Sequence, residues 1–206
     1  MNTKMADSGS AVRKILFTGP PGIGKTTLCR KIISMLIACD VKTTGFYTEE
    51  VRSKDRKRIG FDISTLDQIE TRGILARIDS ALNGKSPSKL RVGPYQVFID
   101  DFQKIAIPAL NSTSDVLVID EIGKMELLSK SFHELVENLF FGKDDQLQRI
   151  IIATIPARDR EPQRHSKFFD KFYDDRSCQV IEVNRGNRED LAKEIFHKIQ
   201  DMLKIK

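Results

Sequence analysis

One short segment constrains the fold of this 206-residue chain more than any other part of it. Residues 19–26 read GPPGIGKT, which fits the pattern G-x-x-x-x-G-K-[ST] in full. An apolar run at residues 14–18 precedes the segment, and a helical pattern of apolar residues follows it. In this setting the glycines let backbone N–H groups surround phosphate oxygens, and the helix N-terminus adds a partial positive charge. The segment therefore predicts a P-loop between a buried strand and a helix.

The P-loop supplies the first set of candidate nucleotide-binding residues. They are Gly19, Pro20, Pro21, Gly22, Ile23, Gly24, Lys25, Thr26 and Thr27. We expect the Lys25 ammonium to reach the β- and γ-phosphates and the Thr26 hydroxyl to bind Mg²⁺. The alternative is a glycine-rich turn that starts a helix without binding phosphate.

A second segment, residues 115–120, is an apolar run that ends in an acid. Its sequence, DVLVID, is typical of a strand buried on both faces. We expect Asp120 to bind Mg²⁺, directly or through water, and Glu121 to orient and deprotonate an attacking water. Lys25, Asp120 and Glu121 are therefore the candidate catalytic residues, and Thr26 and Asp120 the candidate metal ligands. Many strands end in Asp–Glu, so without the P-loop this pair would also fit a solvated strand end.

Strands and helices are predicted to alternate along the chain. The predicted strands are 14–18, 44–51, 58–66, 95–99, 115–120, 149–155 and 179–183, and the predicted helices are 25–38, 102–110, 131–141 and 188–203. Residues 73–94 and 156–175 read as loops with at most one short helix each, and we expect the second loop to be mobile. This alternation predicts an α/β P-loop NTPase fold, a mostly parallel sheet with helices on both faces. We expect one domain over residues 12–206 after a disordered lead-in over residues 1–11.

Composition limits the classes of partner. The chain has 34 basic and 29 acidic side chains, a formal net charge of +5, and no basic ribbon interleaved with aromatic residues. Cys29, Cys39 and Cys178 are too irregularly spaced for a disulfide framework or a zinc site. No apolar run approaches the ~20 residues of a membrane span, and residues 1–10 lack the apolar core of a signal peptide. We expect a cytoplasmic monomer that binds neither nucleic acid nor a membrane.

Other polar residues allow two interpretations each. Lys124 could contact the γ-phosphate or hold Glu121, or it could lie at the surface. Glu49 and Arg52 could approach the nucleotide or form salt bridges within a predicted hairpin. Asn187 and Arg188 precede the last predicted helix, where the arginine could stack on a base or the asparagine could cap the helix.

The predicted motifs contain no arginine, although phosphoryl transfer is often assisted by one. Arg158 and Arg160 follow the predicted strand 149–155, whose C-terminal end should face the same crevice as the P-loop. In a mobile loop such an arginine would act only part of the time, and hydrolysis would be slow. The alternative is two surface arginines. We expect Phe46 and Phe61 to pack in the core rather than against a base.

Seven segments together resemble one protein family. They are TGPPGIGKTTL (18–28), GFYTEEVR (45–52), RIGFDISTL (58–66), VGPY (92–95), VIDEIGKMEL (118–127), ATIP (153–156) and NRGNR (184–188). In this order they are similar to the cancer-related nucleoside-triphosphatase family, which also has bacterial and archaeal thermophile members. The resemblance implies a RecA-like P-loop domain that slowly hydrolyses several nucleoside triphosphates, such as ATP, GTP, CTP and UTP, to diphosphates.

The residues alone leave two other functions open. A P-loop in a small α/β chain also suits a nucleoside or nucleotide kinase, because a carboxylate at position 121 could deprotonate an acceptor hydroxyl instead of water. A nucleotide-gated binding module could use slow hydrolysis as a timer. Phosphate release without an added acceptor separates the hydrolase from the kinase.

Overall fold

A nine-stranded sheet forms the centre of the protein. The computed structural model describes residues 12–66, 71–142 and 149–205. The strands are β1 (Lys14–Thr18), β2 (Thr43–Arg52), β3 (Arg58–Thr65), β4 (Arg72–Ile78), β5 (Arg91–Val92), β6 (Tyr95–Val97), β7 (Val116–Asp120), β8 (Ile150–Thr154) and β9 (Cys178–Glu182). The α-helices are α1 (Lys25–Ile37), α2 (Ile99–Asn111), α3 (Lys130–Phe141), α4 (Ser166–Asp174) and α5 (Leu191–Leu203). Short 3₁₀ helices occur at Asp79–Ala81, Glu126–Leu128, Arg158–Arg160 and Gln163–His165.

The sheet has a parallel half and an antiparallel half that share β2. Its strand order is β5-β6-β4-β3-β2-β7-β8-β1-β9. The pairs β2–β7, β7–β8, β8–β1 and β1–β9 are parallel, whereas β2–β3, β3–β4, β4–β6 and β6–β5 are antiparallel. Strands β7 and β8 are buried along their whole length, which explains their continuous apolar sequences.

Helices cover both faces of the sheet, and α2 extends over β2, β3 and β4. On one face α1 and α5 pack on β1, burying Leu28, Ile32, Ile195 and Ile199 against Ile15 and Phe17. On the other face α2, α3 and α4 bury Phe102, Phe132, Phe140, Phe169 and Phe172 against the sheet. The predicted α/β class with helices on both faces is confirmed.

The antiparallel half is larger than the sequence indicated, because β5 and all but the first residue of β4 lie in residues 73–94, which were predicted to be a loop. In β4, Arg77 is buried, and this polar residue hid the strand pattern. The Arg77 guanidinium lies 2.5 Å from an Asp62 carboxylate oxygen and donates to the Phe61 carbonyl at 2.9 Å. A buried charge is tolerated when it is paired and hydrogen-bonded in this way.

Residues 156–175 were predicted to be a polar loop with at most one short helix, and α4 is such a helix, but it is part of the core. Helix α4 turns Phe168, Phe169 and Phe172 into the core, while its charged residues face outward. The aromatic residues occupy positions i, i+1 and i+4, one face of a helix. The many charged residues of the segment masked this pattern in the sequence.

The burial of α4 leads to a stability prediction. We expect Phe169→Ala to lower the free energy of unfolding by about 3–5 kcal/mol, because it removes a fully buried ring and leaves a cavity. Lys167→Ala, at an exposed position on the same helix, is the matched control and should stay within about 0.5 kcal/mol of the parent. Urea unfolding measures both values. Equal effects of the two substitutions would show that α4 is not part of the core.

Element boundaries elsewhere agree with the predictions to within a few residues. The strand predicted at 95–99 ends at Val97, and the helix predicted from residue 188 begins at Leu191. The predicted lead-in, residues 1–11, lies outside the described residues. All three cysteines are free thiols. In the part of the chain that the structure describes, no helix is long and apolar enough to cross a membrane.

Candidate active site

The P-loop connects the end of β1 to the start of α1. Gly24 precedes the helix with φ of 110°, a left-handed conformation that glycine adopts without strain. A Cβ placed on Gly22 or on Gly24 would meet no atom within 4 Å. The loop is therefore open on this side, as a phosphate cradle must be.

Lys25 lies at the first position of α1 and turns back across the loop. Its ammonium donates a hydrogen bond to the Gly19 carbonyl at 2.9 Å. The positive charge is thereby held against the first residue of the P-loop. Together with the N-terminus of α1, this produces a local positive potential that favours a bound anion.

Asp120 ends β7 at the same edge of the sheet, one strand away from β1. The Thr154 hydroxyl, at the end of the intervening strand β8, donates to Asp120 Oδ1 at 2.5 Å. The other carboxylate oxygen, Oδ2, is buried and has no hydrogen-bond partner among the described residues. Burial raises the pKa of Asp120, while the hydroxyls of Thr154 and Thr26 and the Lys25 ammonium act to lower it.

The unpartnered oxygen of Asp120 fits a hard divalent cation. A buried carboxylate oxygen without a partner is costly unless an ion or water satisfies it, and the Thr26 hydroxyl interacts with the same carboxylate. Within the described residues, no group of three or more His, Cys, Asp or Glu could hold a metal ion. The free oxygen of Asp120 and the nearby Thr26 hydroxyl suit Mg²⁺, which binds proteins through one or two side chains and takes its other ligands from phosphates and water.

Two further carboxyl groups lie next to Asp120. Burial raises the pKa of Glu121, with the nearby Lys25 ammonium opposing and Asp120 adding to the shift. Burial also raises the pKa of Glu126, and the proximity of Glu121 adds to it. A Cβ on Gly123 would lie 2.8 Å from Glu126 Oε2 and 2.9 Å from Glu121 Oε1. Both carboxyl groups therefore close around this glycine, and a larger residue would displace them.

A cavity of about 290 Å³ opens beside Glu121. It is lined by Pro21 of the P-loop, by Glu121, Lys124, Met125 and Glu126 after β7, by Thr48, Phe61, Leu75 and Val92 of the sheet, and by Pro156 and Arg160. Phe61 was predicted to pack in the core, but its ring is only half-buried and forms part of this cavity wall.

A second cavity, of about 460 Å³, lies beside the start of the P-loop. Its lining includes Thr18, Gly19, Arg158, Tyr173 and Glu182. The Thr18 hydroxyl donates to the Pro156 carbonyl at 2.8 Å, which ties the end of β1 to the segment after β8. The P-loop therefore has open space on both of its sides.

Comparison with known proteins agrees with this geometry. A family model described as NTPase matches residues 14–196. The chain belongs to this NTPase family. The nucleoside-triphosphatase THEP1 of Thermotoga sp. (strain RQ2) is 43% identical over 186 residues, covering 89% of this chain and 93% of that protein. The cancer-related nucleoside-triphosphatase of Homo sapiens is 36% identical over 203 residues, covering 93% and 99%.

Solved structures of the NTPase family share the fold. The crystal structure of THEP1 from Aquifex aeolicus matches with a TM-score of 0.69 at 31% identity, over 91% of this chain and 99% of that one. The solution structure of a human cancer-related nucleoside triphosphatase matches with a TM-score of 0.70 at 36% identity, over 92% and 98%. The resemblance found in the seven sequence segments is thereby confirmed.

The two loop arginines of this NTPase-family chain have different surroundings. The Arg158 guanidinium lies 2.8 Å from an Asp170 oxygen and 4.3 Å from the centre of the Tyr173 ring, so contacts to α4 hold it. Among the described residues, Arg160 pairs only with its neighbour Asp159, whose carboxylate oxygen lies 3.3 Å from the guanidinium. Arg160 also lines the cavity beside Glu121.

Lys124 lies at the cavity beside Glu121, and its side chain is exposed. Glu49 instead pairs with Arg30 and with Arg72, the latter at 3.6 Å. Arg52 pairs with Glu50 within the β2–β3 hairpin. These contacts favour the structural interpretation of both hairpin residues, whereas Lys124 remains a candidate for phosphate contact.

Asn187 and Arg188 do not line either of the cavities described above. The Asn187 side chain accepts from the Asn184 N–H at 2.9 Å and donates to the Glu182 carbonyl at 2.8 Å, so it shapes the turn after β9. Arg188 pairs with the adjacent Glu189 at 3.2 Å. Their predicted contact with the base has no support from these contacts, and it stays a prediction.

Glu126 is the residue of this site that the sequence did not single out for a role. It is 5% exposed and begins the 3₁₀ helix Glu126–Leu128. In the sequence it lies between Met125 and Leu127, and a single glutamate is most often a surface residue. The sequence signal that could have indicated a pair of carboxyl groups is the presence of a glutamate on each side of Gly123, at positions 121 and 126.

Proposed function

We propose that this protein hydrolyses nucleoside 5′-triphosphates to the diphosphate and phosphate in a Mg²⁺-dependent reaction. The observation that carries the proposal is that the P-loop after β1 and the Asp120–Glu121 pair after β7 lie at the same edge of the sheet, with Pro21 and Glu121 lining one cavity. The names of the relatives, nucleoside-triphosphatase in bacteria and in mammals, support it.

Each residue has a role that follows from its contacts. The P-loop N–H groups and Lys25 would bind the β- and γ-phosphates, and the Thr26 hydroxyl and Asp120 would hold Mg²⁺, which neutralises phosphate charge. Glu121 would accept a hydrogen bond from the attacking water and take its proton. Because burial raises the pKa of Glu121, this carboxylate is a stronger base than an exposed glutamate would be.

Phosphate release without any added acceptor tests the proposal. We expect purified protein to release phosphate from ATP, GTP, CTP and UTP when Mg²⁺ is present, and to stop when EDTA removes the metal. The Lys25→Ala variant, prepared in parallel, measures any contaminating phosphatase. Phosphate release no faster than that of Lys25→Ala would contradict the proposed function.

We expect the protein to hydrolyse nucleoside triphosphates with different bases at similar efficiency. The P-loop binds the phosphates, which all four nucleotides share. Tyr173 lines the cavity beside Gly19, and an aromatic side chain of this kind can stack on any base. We expect kcat/KM for ATP, GTP, CTP and UTP to agree within about tenfold, or about 1.4 kcal/mol. Steady-state kinetics with the four nucleotides measures this. Discrimination above a hundredfold would reveal a base-specific pocket.

The rate should depend on one of the two loop arginines. Arg160 lines the cavity with Glu121, whereas contacts to α4 hold Arg158. We expect Arg160→Ala to lower the single-turnover rate at least about tenfold, since an arginine stabilises charge on the γ-phosphate. Arg158→Ala is the matched control from the same segment and should have a smaller effect.

A slow parent enzyme is part of this prediction. Arg160 is exposed and pairs only with its neighbour among the described residues, so it must be ordered before each turnover. We therefore expect the parent rate to lie below the ~10 s⁻¹ typical of enzymes. If the parent exceeds that rate and neither arginine variant loses activity, the proposed role of this segment is wrong.

We further propose that residues 12–206 act as one domain and as a cytoplasmic monomer that binds neither nucleic acid nor a membrane. One sheet runs through all described parts of the chain. The three free thiols suit a reducing compartment.

A further inference from the structure

The cavity beside Glu121 has features that hydrolysis does not need. A water molecule requires only the carboxylate and the phosphate, yet this space of about 290 Å³ is close to the size of a small-molecule site. The lining combines polar and apolar side chains. The polar ones are Thr48, Glu121, Lys124, Glu126 and Arg160, and the apolar ones are Pro21, Phe61, Leu75, Val92, Met125 and Pro156.

The apolar wall, formed by Phe61, Leu75 and Val92, comes from the antiparallel half of the sheet. Strands β2, β3, β4 and β5 contribute one residue each: Thr48, Phe61, Leu75 and Val92. The P-loop and Asp120 belong to β1, α1 and β7, so strands β3, β4 and β5 are not needed to hold a nucleotide. They instead place an aromatic ring and two aliphatic side chains in the lining of the cavity that also contains Glu121, the proposed general base.

We propose that this cavity binds a second substrate, a nucleoside, and that the protein transfers the γ-phosphoryl group to its hydroxyl. The proposal rests on the proposed position of the triphosphate at the P-loop. Pro21 of the P-loop and Glu121 line the same cavity. A ligand there therefore lies between the γ-phosphate side of the P-loop and the apolar wall.

The chemistry of the lining matches a nucleoside. The half-buried Phe61 ring and the Met125 side chain offer faces for a flat base. The Glu126 carboxyl group, 5% exposed in the cavity wall, can accept hydrogen bonds from N–H groups of the base. The same carboxyl group also accepts hydrogen bonds from the backbone N–H groups of Gly123 and Glu126, and the lone pairs of a carboxylate allow further donors to bind.

The transfer step balances without any further reactant. The Glu121 carboxylate takes the proton of the nucleoside hydroxyl, and the hydroxyl oxygen forms a bond to the γ-phosphorus. The bond between the γ-phosphorus and the β–γ bridging oxygen breaks, and its electron pair stays on the departing diphosphate. The products are a nucleoside diphosphate and a nucleoside monophosphate.

One experiment follows the labelled γ-phosphate of ATP with adenosine, guanosine, cytidine, uridine or thymidine present. Label is counted both in nucleoside monophosphate and in free phosphate. We expect saturable labelling of at least one nucleoside by the parent protein. Val92→Phe, which narrows the cavity, should lower the ratio of labelled monophosphate to free phosphate at least tenfold. Leu90→Phe, at an exposed position outside this cavity, should leave the ratio unchanged.

The two labelled products separate this inference from the proposed hydrolysis. Free phosphate with no labelled nucleoside would overturn the second-substrate site and leave hydrolysis standing. Labelled nucleoside without free phosphate would support the site and contradict hydrolysis. Neither product from folded protein would overturn both. Labelled nucleoside at an unchanged ratio in folded Val92→Phe would place the acceptor elsewhere and overturn the assignment of this cavity.

Discussion

Replacing Lys25 by alanine is expected to reduce hydrolysis at least about 10²–10³-fold while leaving the fold intact. The ammonium is the only basic group that the structure, in its described part, places against the P-loop carbonyl of Gly19. Without it, Mg²⁺ and the backbone N–H groups would have to neutralise the charge of the β- and γ-phosphates with help from Arg160. Phosphate release and nucleotide affinity, measured on the same preparation, would show the loss in both.

Lys31→Ala is the matched control for this substitution. Lys31 lies on the same helix, pairs with Glu189 at 3.2 Å and is about half exposed. Its removal should leave turnover close to that of the parent. Near-normal turnover in a folded Lys25→Ala variant would contradict the assignment of the P-loop. Normal turnover in Thr26→Ala would contradict the assignment of Thr26 as a Mg²⁺ ligand.

Glu121→Gln should separate binding from chemistry. Glutamine keeps the size of the side chain and its hydrogen bonding, but it cannot take a proton from water. We expect turnover to fall roughly 10²–10⁴-fold, with the affinity for the Mg²⁺–nucleotide complex retained. Single-turnover phosphate release and equilibrium binding measure the two effects.

Two other substitutions make this result specific. Glu134→Gln changes an exposed glutamate of α3 that pairs with Lys130, and it should not alter the rate. Asp120→Asn should weaken the metal site and therefore metal-dependent activity. If Glu121→Gln hydrolyses normally while Asp120→Asn does not, the roles assigned to this pair are wrong.

The parallel half of the fold could be predicted because its central strands, β1, β7 and β8, are buried on both faces. Such strands appear in the sequence as unbroken apolar runs, as in residues 14–18 and 115–120. Strand β4 was missed because its buried arginine, Arg77, is satisfied by Asp62 on the neighbouring strand. A pairing between strands is a tertiary contact, and no local pattern reveals it.

The candidate site was predictable only where a motif fixes the geometry. The P-loop and Asp120 lie together as expected, because their strands end at one edge of the sheet. Glu126 and Phe61 were not assigned to the site, since their places in it depend on the Gly123 turn and on the antiparallel strands. For Asn187 the sequence allowed either a base contact or a helix cap; its side chain makes hydrogen bonds in the turn after β9, and contact with a base stays a prediction.

The central claim is that water, activated by Glu121, attacks the γ-phosphorus of a nucleoside triphosphate at the P-loop. Hydrolysis of ATP in water enriched with heavy oxygen tests it most directly, with mass analysis of both products. The account predicts that the released phosphate carries one heavy oxygen and that the diphosphate carries none. Heavy oxygen in the diphosphate, or phosphate without it, would contradict the account.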